Sequence, residues 1–318
     1  MAKVPVVDMS LPEAEAAALV RAACTGPGFF YVSNHGVAPA LVEGTFERSR
    51  ALFALPLEEK QRMVQDENNR GWTPFQEETL DPANQSCGDT KEGFYFGREV
   101  AADSAEAAKP LHGPNQWPPE ALVPGLRATY EQYFKELWAL GLRILRLVSL
   151  SLDLPSEFFD QHFNPPIVSL RPLHYTGTIS APEDGVFGAG AHTDYGMLTL
   201  LATDEVPGLQ FHTGGAWHDV APLPGTFIIN LGDMLERWTN GQFHSTLHRV
   251  INTTGQERYS IAYFFEPSFD TVVICLPQCT GPDRPPMFQP TTAGQHLLDK
   301  YAQTHAGYTG PSSATDRK

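Results

Sequence analysis

Apolar residues recur at helical spacing in the first half of the chain and in short, strand-like runs in the second half. The longest helical stripe covers 126–152, with Pro124 before it and Pro155 after it. Because proline disrupts a helix interior, these residues mark the expected ends of a long central helix. Gly141 occupies one position of the stripe and indicates a close helix contact. Shorter helices are predicted at 11–23, 41–54, 57–63 and 292–301.

From residue 167 onward, short β-type runs follow one another and are separated by turn residues. Many short strands with Gly- and Pro-rich turns are typical of an all-β barrel or a double-sheet jelly roll. Two earlier runs, 4–7 and 28–32, are also strand-like. The later predicted strands are 169–175, 197–203, 209–212, 226–231, 248–252, 259–265 and 272–276.

The stretch 66–120 is rich in Gly, Pro, Asn and Asp, and it is predicted to be irregular. Loops of this length are seldom idle, so this stretch is the candidate wall of a binding site. The chain is expected to form one integrated unit. Its parts are an N-terminal helical and loop region at 1–120, a core with the long central helix at 121–310, and a loose tail at 311–318.

Composition narrows the class of protein. The 318 residues carry a net charge of −15, which argues against a nucleic-acid partner because such binding needs basic patches. We expect a cytoplasmic monomer or weak oligomer without a membrane partner, since no apolar run is long enough for a signal peptide or a membrane span. The scattered cysteines are expected to be free thiols, with a metal pair at Cys275 and Cys279 as the minor alternative.

His192 and Asp194 form the central chemical signal of the sequence. In an extended segment residues i and i+2 point to the same side, so these two side chains can chelate one ion. His248 is the best third ligand, and His244 competes with it four residues earlier. Two imidazoles and one carboxylate on one face of an octahedron are the arrangement of non-haem Fe(II) oxygenases. Zinc can bind the same donors, so the ligands alone leave the metal open.

Arg258 and Ser260 follow His248 and lie on the same side of a predicted strand. A lone arginine is more often a salt-bridge partner or an exposed charge. Beside a metal triad, however, its planar fork is suited to a carboxylate, and the serine hydroxyl adds a third hydrogen bond. A dicarboxylate could chelate iron at one end and reach this pair with the other.

These motifs occur in order along nearly the whole chain, which resembles the isopenicillin N synthase-like branch of the 2-oxoglutarate- and Fe(II)-dependent dioxygenases. Further matching segments lie at 28–37, 208–210 and 230–233. The resemblance implies a mainly β fold with flanking helices: a double-stranded β-helix (jelly roll) core with an N-terminal α-rich region. It implies iron ligands at His192, Asp194 and His248, and 2-oxoglutarate contacts at Arg258, Ser260 and Tyr175.

The resemblance also implies an activity. With Fe(II), 2-oxoglutarate and O2, and with ascorbate as a candidate reductant, such enzymes oxidise small organic molecules by hydroxylation, desaturation or dealkylation, and release succinate and CO2. The chain departs from many plant members at Leu173, where they have Asn, and at Thr176, where Pro is frequent. Two alternatives stay open: an Fe(II) oxidase of this fold that does not consume 2-oxoglutarate, and a non-catalytic binding protein.

Aromatic and cationic residues near the site are the candidate substrate contacts, although each aromatic could equally belong to the core. Their mixture predicts a planar or carboxylated small molecule. The candidates are Arg171, Trp72, Phe75, Lys91, Phe94, Phe96 and Phe265.

Overall fold

The computed structural model describes residues 3–304, so the predicted tail at 311–318 lies outside the described residues. The strands are β1 (Val6–Asp8), β2 (Phe29–Ser33), β3 (Gly71–Thr73), β4 (Lys91–Gly97), β5 (Ile167–Tyr175), β6 (Ala189–His192), β7 (Leu198–Thr203), β8 (Leu209–Thr213), β9 (Ala216–Asp219), β10 (Phe227–Leu231), β11 (His248–Val250), β12 (Arg258–Glu266), β13 (Val272–Val273) and β14 (Thr291–Thr292). The α-helices are α1 (Glu13–Thr25), α2 (Pro39–Phe53), α3 (Leu57–Gln61), α4 (Leu126–Ser151), α5 (Asp233–Trp238) and α6 (Ala293–Thr304). Short 3₁₀ helices lie at Ala105–Ala108, Asp160–His162, Pro182–Asp184 and Pro277–Cys279.

Two main sheets form the centre of the molecule. The larger sheet has eight strands in the order β1-β2-β10-β7-β12-β5-β4-β3, and the smaller has four in the order β6-β11-β8-β9. One apolar cluster joins them, with Phe29 and Tyr175 from the larger sheet and Phe211 and Val250 from the smaller. The predicted jelly-roll core with flanking helices is confirmed.

The long helix α4 packs on the outer face of the larger sheet together with α1 and α2. Three residues of its apolar stripe, Leu137, Ile144 and Val148, are fully buried there. A Cβ atom at Gly141 would lie 2.6 Å from the ring of Phe265. The close contact predicted at Gly141 is therefore made with strand β12.

The stretch 66–120 is more regular than predicted, because it contributes β3 and β4 to the larger sheet. All seven residues of β4 are buried. A strand covered on both faces lacks the apolar–polar alternation that reveals a half-buried strand, and for this reason the sequence did not disclose β4.

The strands before residue 121 share the larger sheet with the later strands, as the order of that sheet shows. The division into regions at residue 120 stays a prediction. Within residues 3–304, every helix is too short or too polar to cross a membrane.

Candidate active site

Strand pairing in the smaller sheet brings the predicted metal ligands together. His192 ends β6 and lies opposite His248, the first residue of β11, so that their ring centroids are 4.3 Å apart. Asp194 places Oδ1 3.8 Å from His192 Nε2 and 3.6 Å from His248 Nε2. Over the described part of the chain, this trio is the one group whose ligand atoms converge as a metal site requires. His244, the competing candidate, is exposed.

Backbone carbonyls orient both imidazoles. His192 Nδ1 lies 2.8 Å from the Gly190 oxygen, and His248 Nδ1 lies 3.0 Å from the Thr246 oxygen. Because a carbonyl oxygen can only accept, each Nδ1 carries the proton and donates it. Both Nε2 atoms therefore present a lone pair, which is the form that binds a metal ion.

Asp194 uses its two oxygens differently. Its Oδ2 accepts hydrogen bonds from Asn230 Nδ2 at 2.6 Å and from the Thr199 hydroxyl, so Oδ1 remains for a metal. Burial alone would raise the pKa of Asp194, but the imidazoles and these hydrogen bonds bring it below its usual value. Burial, followed by the proximity of His248, lowers the pKa of His192. An anionic carboxylate and a neutral imidazole are the protonation states that metal binding requires.

The triad opens into a cavity between the two sheets that also contains the predicted carboxylate site. Arg258 pairs in register with Tyr175, and its guanidinium carbon lies 4.9 Å from the centroid of the tyrosine ring. Arg258 Nη1 and Ser260 Oγ are buried without a hydrogen-bond partner. A buried unpaired polar atom costs about 1–3 kcal/mol, so a hydrogen-bonding ligand in this cavity would offset that cost at both atoms.

A second cavity shares His192, Asp194, Arg171 and Phe264 with the first. Glu266 lies on its wall, where Oε2 accepts the Met197 N–H at 2.7 Å. Burial raises the pKa of Glu266 to about 8. Further walls come from Glu78, Leu80, Tyr95, Leu297 and Tyr301, so β4 and helix α6 both contribute to this cavity.

Two of the predicted substrate residues, Arg171 and Lys91, line these cavities. Their cationic groups are already paired, because Arg171 Nη2 and Lys91 Nζ each lie 2.8 Å from Glu78 Oε2. Lys91 also pairs with Asp89. Both cations are therefore neutralised within the protein.

The structure does not bring the other five predicted substrate residues to either cavity. Trp72, Phe94, Phe96 and Phe265 are buried in the core beneath the helices, and Phe75 is 38% exposed beside His174. The reason is strand parity. Phe94 and Phe96 alternate with Lys91 and Tyr95, and Phe265 alternates with Phe264 and Glu266, so they point to the opposite face of the sheet.

Sequence reasoning missed Glu78, Tyr95, Phe264, Glu266 and Tyr301 as cavity residues. In a strand, residues an even number of positions apart point to the same face, and this rule could have found three of them. Tyr95 is on the same face as Lys91, and Phe264 and Glu266 are on the same face as Arg258. Glu78 and Tyr301 come from distant segments and carry no local signal.

Comparisons with known proteins agree with this geometry. Residues 4–120 match the family model for the N-terminal region of a non-haem dioxygenase in morphine synthesis, and residues 168–267 match that of the 2OG-Fe(II) oxygenase superfamily. Azadirone synthase LFS of Melia azedarach is 37% identical, over 96% of this chain and 93% of that protein. The 2-oxoglutarate-Fe(II) type oxidoreductase hxnY of Emericella nidulans is 36% identical, over 90% and 84%.

The solved structure of a full-length Neurospora crassa protein in complex with alpha-KG and thymine superposes with a TM-score of 0.84. It is 27% identical in sequence, and the match covers 94% of this chain and 96% of that one. Fold, converging metal donors and matches over nearly the full length point to the same family. The chain belongs to the 2OG-Fe(II) oxygenase superfamily and is a 2-oxoglutarate- and Fe(II)-dependent dioxygenase that oxidises a small organic molecule.

Proposed function

We propose that this dioxygenase hydroxylates a planar, uncharged small molecule where the two cavities meet. The iron ligands are His192, Asp194 and His248. The far carboxylate of 2-oxoglutarate is bound by Arg258, Ser260 and Tyr175.

The observation that carries this assignment is the pair of buried, unpartnered atoms, Arg258 Nη1 and Ser260 Oγ, in the cavity that holds the triad. A carboxylate supplies the acceptors that both atoms lack, and a charged acceptor gives the stronger hydrogen bonds. The donor set also fits the metal, since two neutral imidazoles and one carboxylate suit Fe(II) and leave positions open. Both cofactors therefore fit the residues present.

Bound iron and 2-oxoglutarate supply O2 activation, with release of succinate and CO2. The protein's own part is to orient and to shield. Asn230 and Thr199 hold Asp194 Oδ2, which keeps a single oxygen directed at the metal position. Leu80 and Phe264 put apolar surface on the walls of both cavities, which limits access of water to the reacting atoms.

The second cavity is the proposed substrate site. The two arginines among the described residues that line it already have partners for their outer nitrogens, since Arg171 pairs with Glu78 and Arg70 donates to three backbone carbonyls. Over residues 3–304, the Nε atom of each guanidinium group is left without a hydrogen bond and can donate to a neutral acceptor. This favours the planar class over the carboxylated one. Glu266 adds a buried carboxyl without an ion pair in the described structure, suited to a substrate with an N–H or O–H group. Thymine, bound to the Neurospora crassa protein, is a ligand of this kind.

The first test is anaerobic addition of Fe(II) and then 2-oxoglutarate to metal-free protein, with detection of the weak visible charge-transfer band of a chelated keto acid. We expect the band in the wild type and its absence in Arg258→Ala at the same concentrations. Arg249→Ala is the matched control, because Arg249 follows His248 on β11, where the alternation directs it away from the cavity.

Each failure has a distinct meaning. A band of full strength in Arg258→Ala would remove this arginine from the 2-oxoglutarate site. Iron binding without a band in the wild type, together with O2 uptake but no succinate, would favour an oxidase of the same fold that does not consume 2-oxoglutarate.

We further infer a cytoplasmic monomer or weak oligomer without a nucleic-acid partner. The four free cysteines and the net charge of −15 support this inference. Size-exclusion chromatography with light scattering tests the oligomeric state. Ascorbate stays a predicted reductant, and the succinate assay with and without it is the corresponding test.

A further inference from the structure

Asp89 is fully buried just before β4, although neither the metal site nor the 2-oxoglutarate site includes it. Its Oδ1 accepts hydrogen bonds from the Gly190 N–H at 2.9 Å and from Gln85 Nε2 at 2.8 Å. Its Oδ2 pairs with the ammonium group of Lys91. Both carboxylate oxygens are therefore committed, and one of them holds the backbone of the strand that carries His192.

Gly190 is also the residue that orients His192, because its carbonyl accepts the Nδ1 proton of that imidazole at 2.8 Å. Asp89 therefore holds Gly190 through its N–H group, and Gly190 in turn holds the His192 ring through its C=O group. Gly190 has no room for a side chain, since a Cβ atom would collide with Gln85 Oε1. The segment around Asp89 therefore lies directly against β6.

Lys91 connects this arrangement to the cavities. Its Nζ lies between Asp89 and Glu78, and Glu78 in turn pairs with Arg171 on the cavity wall. These two acids and two bases form a neutral chain of buried charges. Removing one member leaves a buried neighbour without its opposite charge. The position of each side chain therefore depends on the others.

We propose that Asp89 is a positioning residue of the iron centre, which fixes Gly190 and through it the direction of His192 Nε2. The route is mechanical rather than electronic, because the N–H and C=O of Gly190 belong to different peptide groups. His248 provides an internal comparison: its acceptor is the Thr246 carbonyl, and Thr246 is held by its hydroxyl bond to the Pro27 oxygen. This inference rests on His192 being an iron ligand, as proposed above.

The test is Asp89→Ala in the full chain, which removes the acceptor of the Gly190 N–H, with Co(II) as the metal probe. Residues that support metal ligands typically change metal affinity by about 10–100-fold when mutated, and we expect a loss of that size in Co(II) affinity. In proton NMR of the Co(II) protein, one ligand ring N–H signal should shift and exchange faster with solvent, while the other keeps its position. Glu77→Ala is the matched control, since it truncates an acid of the same segment that is exposed.

Wild-type Co(II) affinity with both ring signals unchanged would overturn the proposal, even if thermal stability fell. An equal change in both signals would overturn it as well, because the route through Gly190 reaches His192 alone. If Asp89→Ala does not fold, Gln85→Ala removes one hydrogen bond to Asp89 Oδ1. A smaller shift of the same single signal supports the proposal, and no shift overturns it. Co(II) binding retained by His192→Ala would instead contradict the ligand set.

Discussion

The two faces of the larger sheet bury different kinds of side chain. On the face covered by the helices, Phe94, Phe96 and Phe265 pack among apolar side chains, and one buried ion pair, Glu92 with Lys60, lies beside them. On the opposite face, the same strands bury charged and polar groups such as Lys91 and Arg258. Apolar packing tolerates exchanges of similar volume, whereas buried polar groups depend on specific partners. Neighbouring residues of one strand can therefore have different roles: one packs in the core, and the next lines the cavity of the proposed site.

The largest effect on the polar face is expected from Asp194→Ala. The variant loses one of three metal donors and leaves two neutral imidazoles, so we expect no measurable iron binding or succinate formation. Metal analysis and a succinate assay measure both. Asp184→Ala, which removes an exposed acid nearby, should keep both properties. Retention of most activity in Asp194→Ala would take Asp194 out of the triad.

Phe265→Ala and Phe264→Ala compare the two faces at adjacent positions. Phe265 is fully buried under the helices, and its truncation should lower the free energy of unfolding by about 3–5 kcal/mol. Phe264 lines both cavities, so its truncation should cost less stability and instead alter the ratio of substrate oxidation to succinate formation. Denaturant unfolding and product analysis separate the effects. The reverse pattern would mean that the two faces are wrongly assigned.

Arg258→Ala tests the polar face at a single contact. Hydrogen bonds to charged groups are worth about 1.5–3 kcal/mol, which corresponds to a loss of about 10–100-fold in 2-oxoglutarate affinity. Iron affinity should be unchanged, because Arg258 is not among the metal donors. Titration of the charge-transfer band gives the affinity, with Arg249→Ala as the reference. Equal affinity in both variants would contradict the carboxylate site.

Gly141→Ala tests how tightly helix α4 packs on the apolar face of the sheet. The added methyl would lie 2.6 Å from the Phe265 ring, and overpacking of this kind costs about 1–3 kcal/mol. The cost should shrink in the double variant with Phe265→Leu, because the smaller side chain makes room. The free energies of unfolding of the wild type, the two single variants and the double variant give the coupling energy between the two positions. Additive effects would show that the helix moves away instead.

The last prediction concerns pH. Burial raises the pKa of Glu266 from its usual 4.5 to about 8, so between these values the folded state binds more protons than the unfolded state. Stability therefore falls as the pH rises through this window, and Glu266→Gln removes that part of the dependence. Thermal unfolding from pH 5 to pH 8 should give a flatter profile for the variant. Parallel profiles would indicate that Glu266 is ionised throughout.

Local spacing explains what could be predicted. His192 and Asp194 are two residues apart, as are Arg258 and Ser260, and alternation in a strand is enough to place each pair on one side. The structure then brings both pairs to the same cavity. The spacing of short strands and turns predicted an all-β barrel or a jelly roll, and the family resemblance selected the jelly roll.

The remainder depends on tertiary structure. Strand β4 is covered on both faces, so it shows no alternation from which to identify it. Glu78 meets Lys91 and Arg171 only because distant segments converge. The prediction chose aromatic residues by type and so included Phe94 and Phe265, which lie in the core. The alternation of side chains along the strand would have chosen Tyr95 and Phe264 instead.

Helix α6 supplies Leu297 and Tyr301 to the proposed substrate cavity, far along the chain from the last proposed iron ligand. Part of the proposed substrate site is therefore carried by a segment that holds none of the proposed iron ligands. Substitutions in this helix can change the shape of the proposed substrate site without changing the proposed iron ligands. An engineer can do the same by varying the inward-facing positions of one short helix.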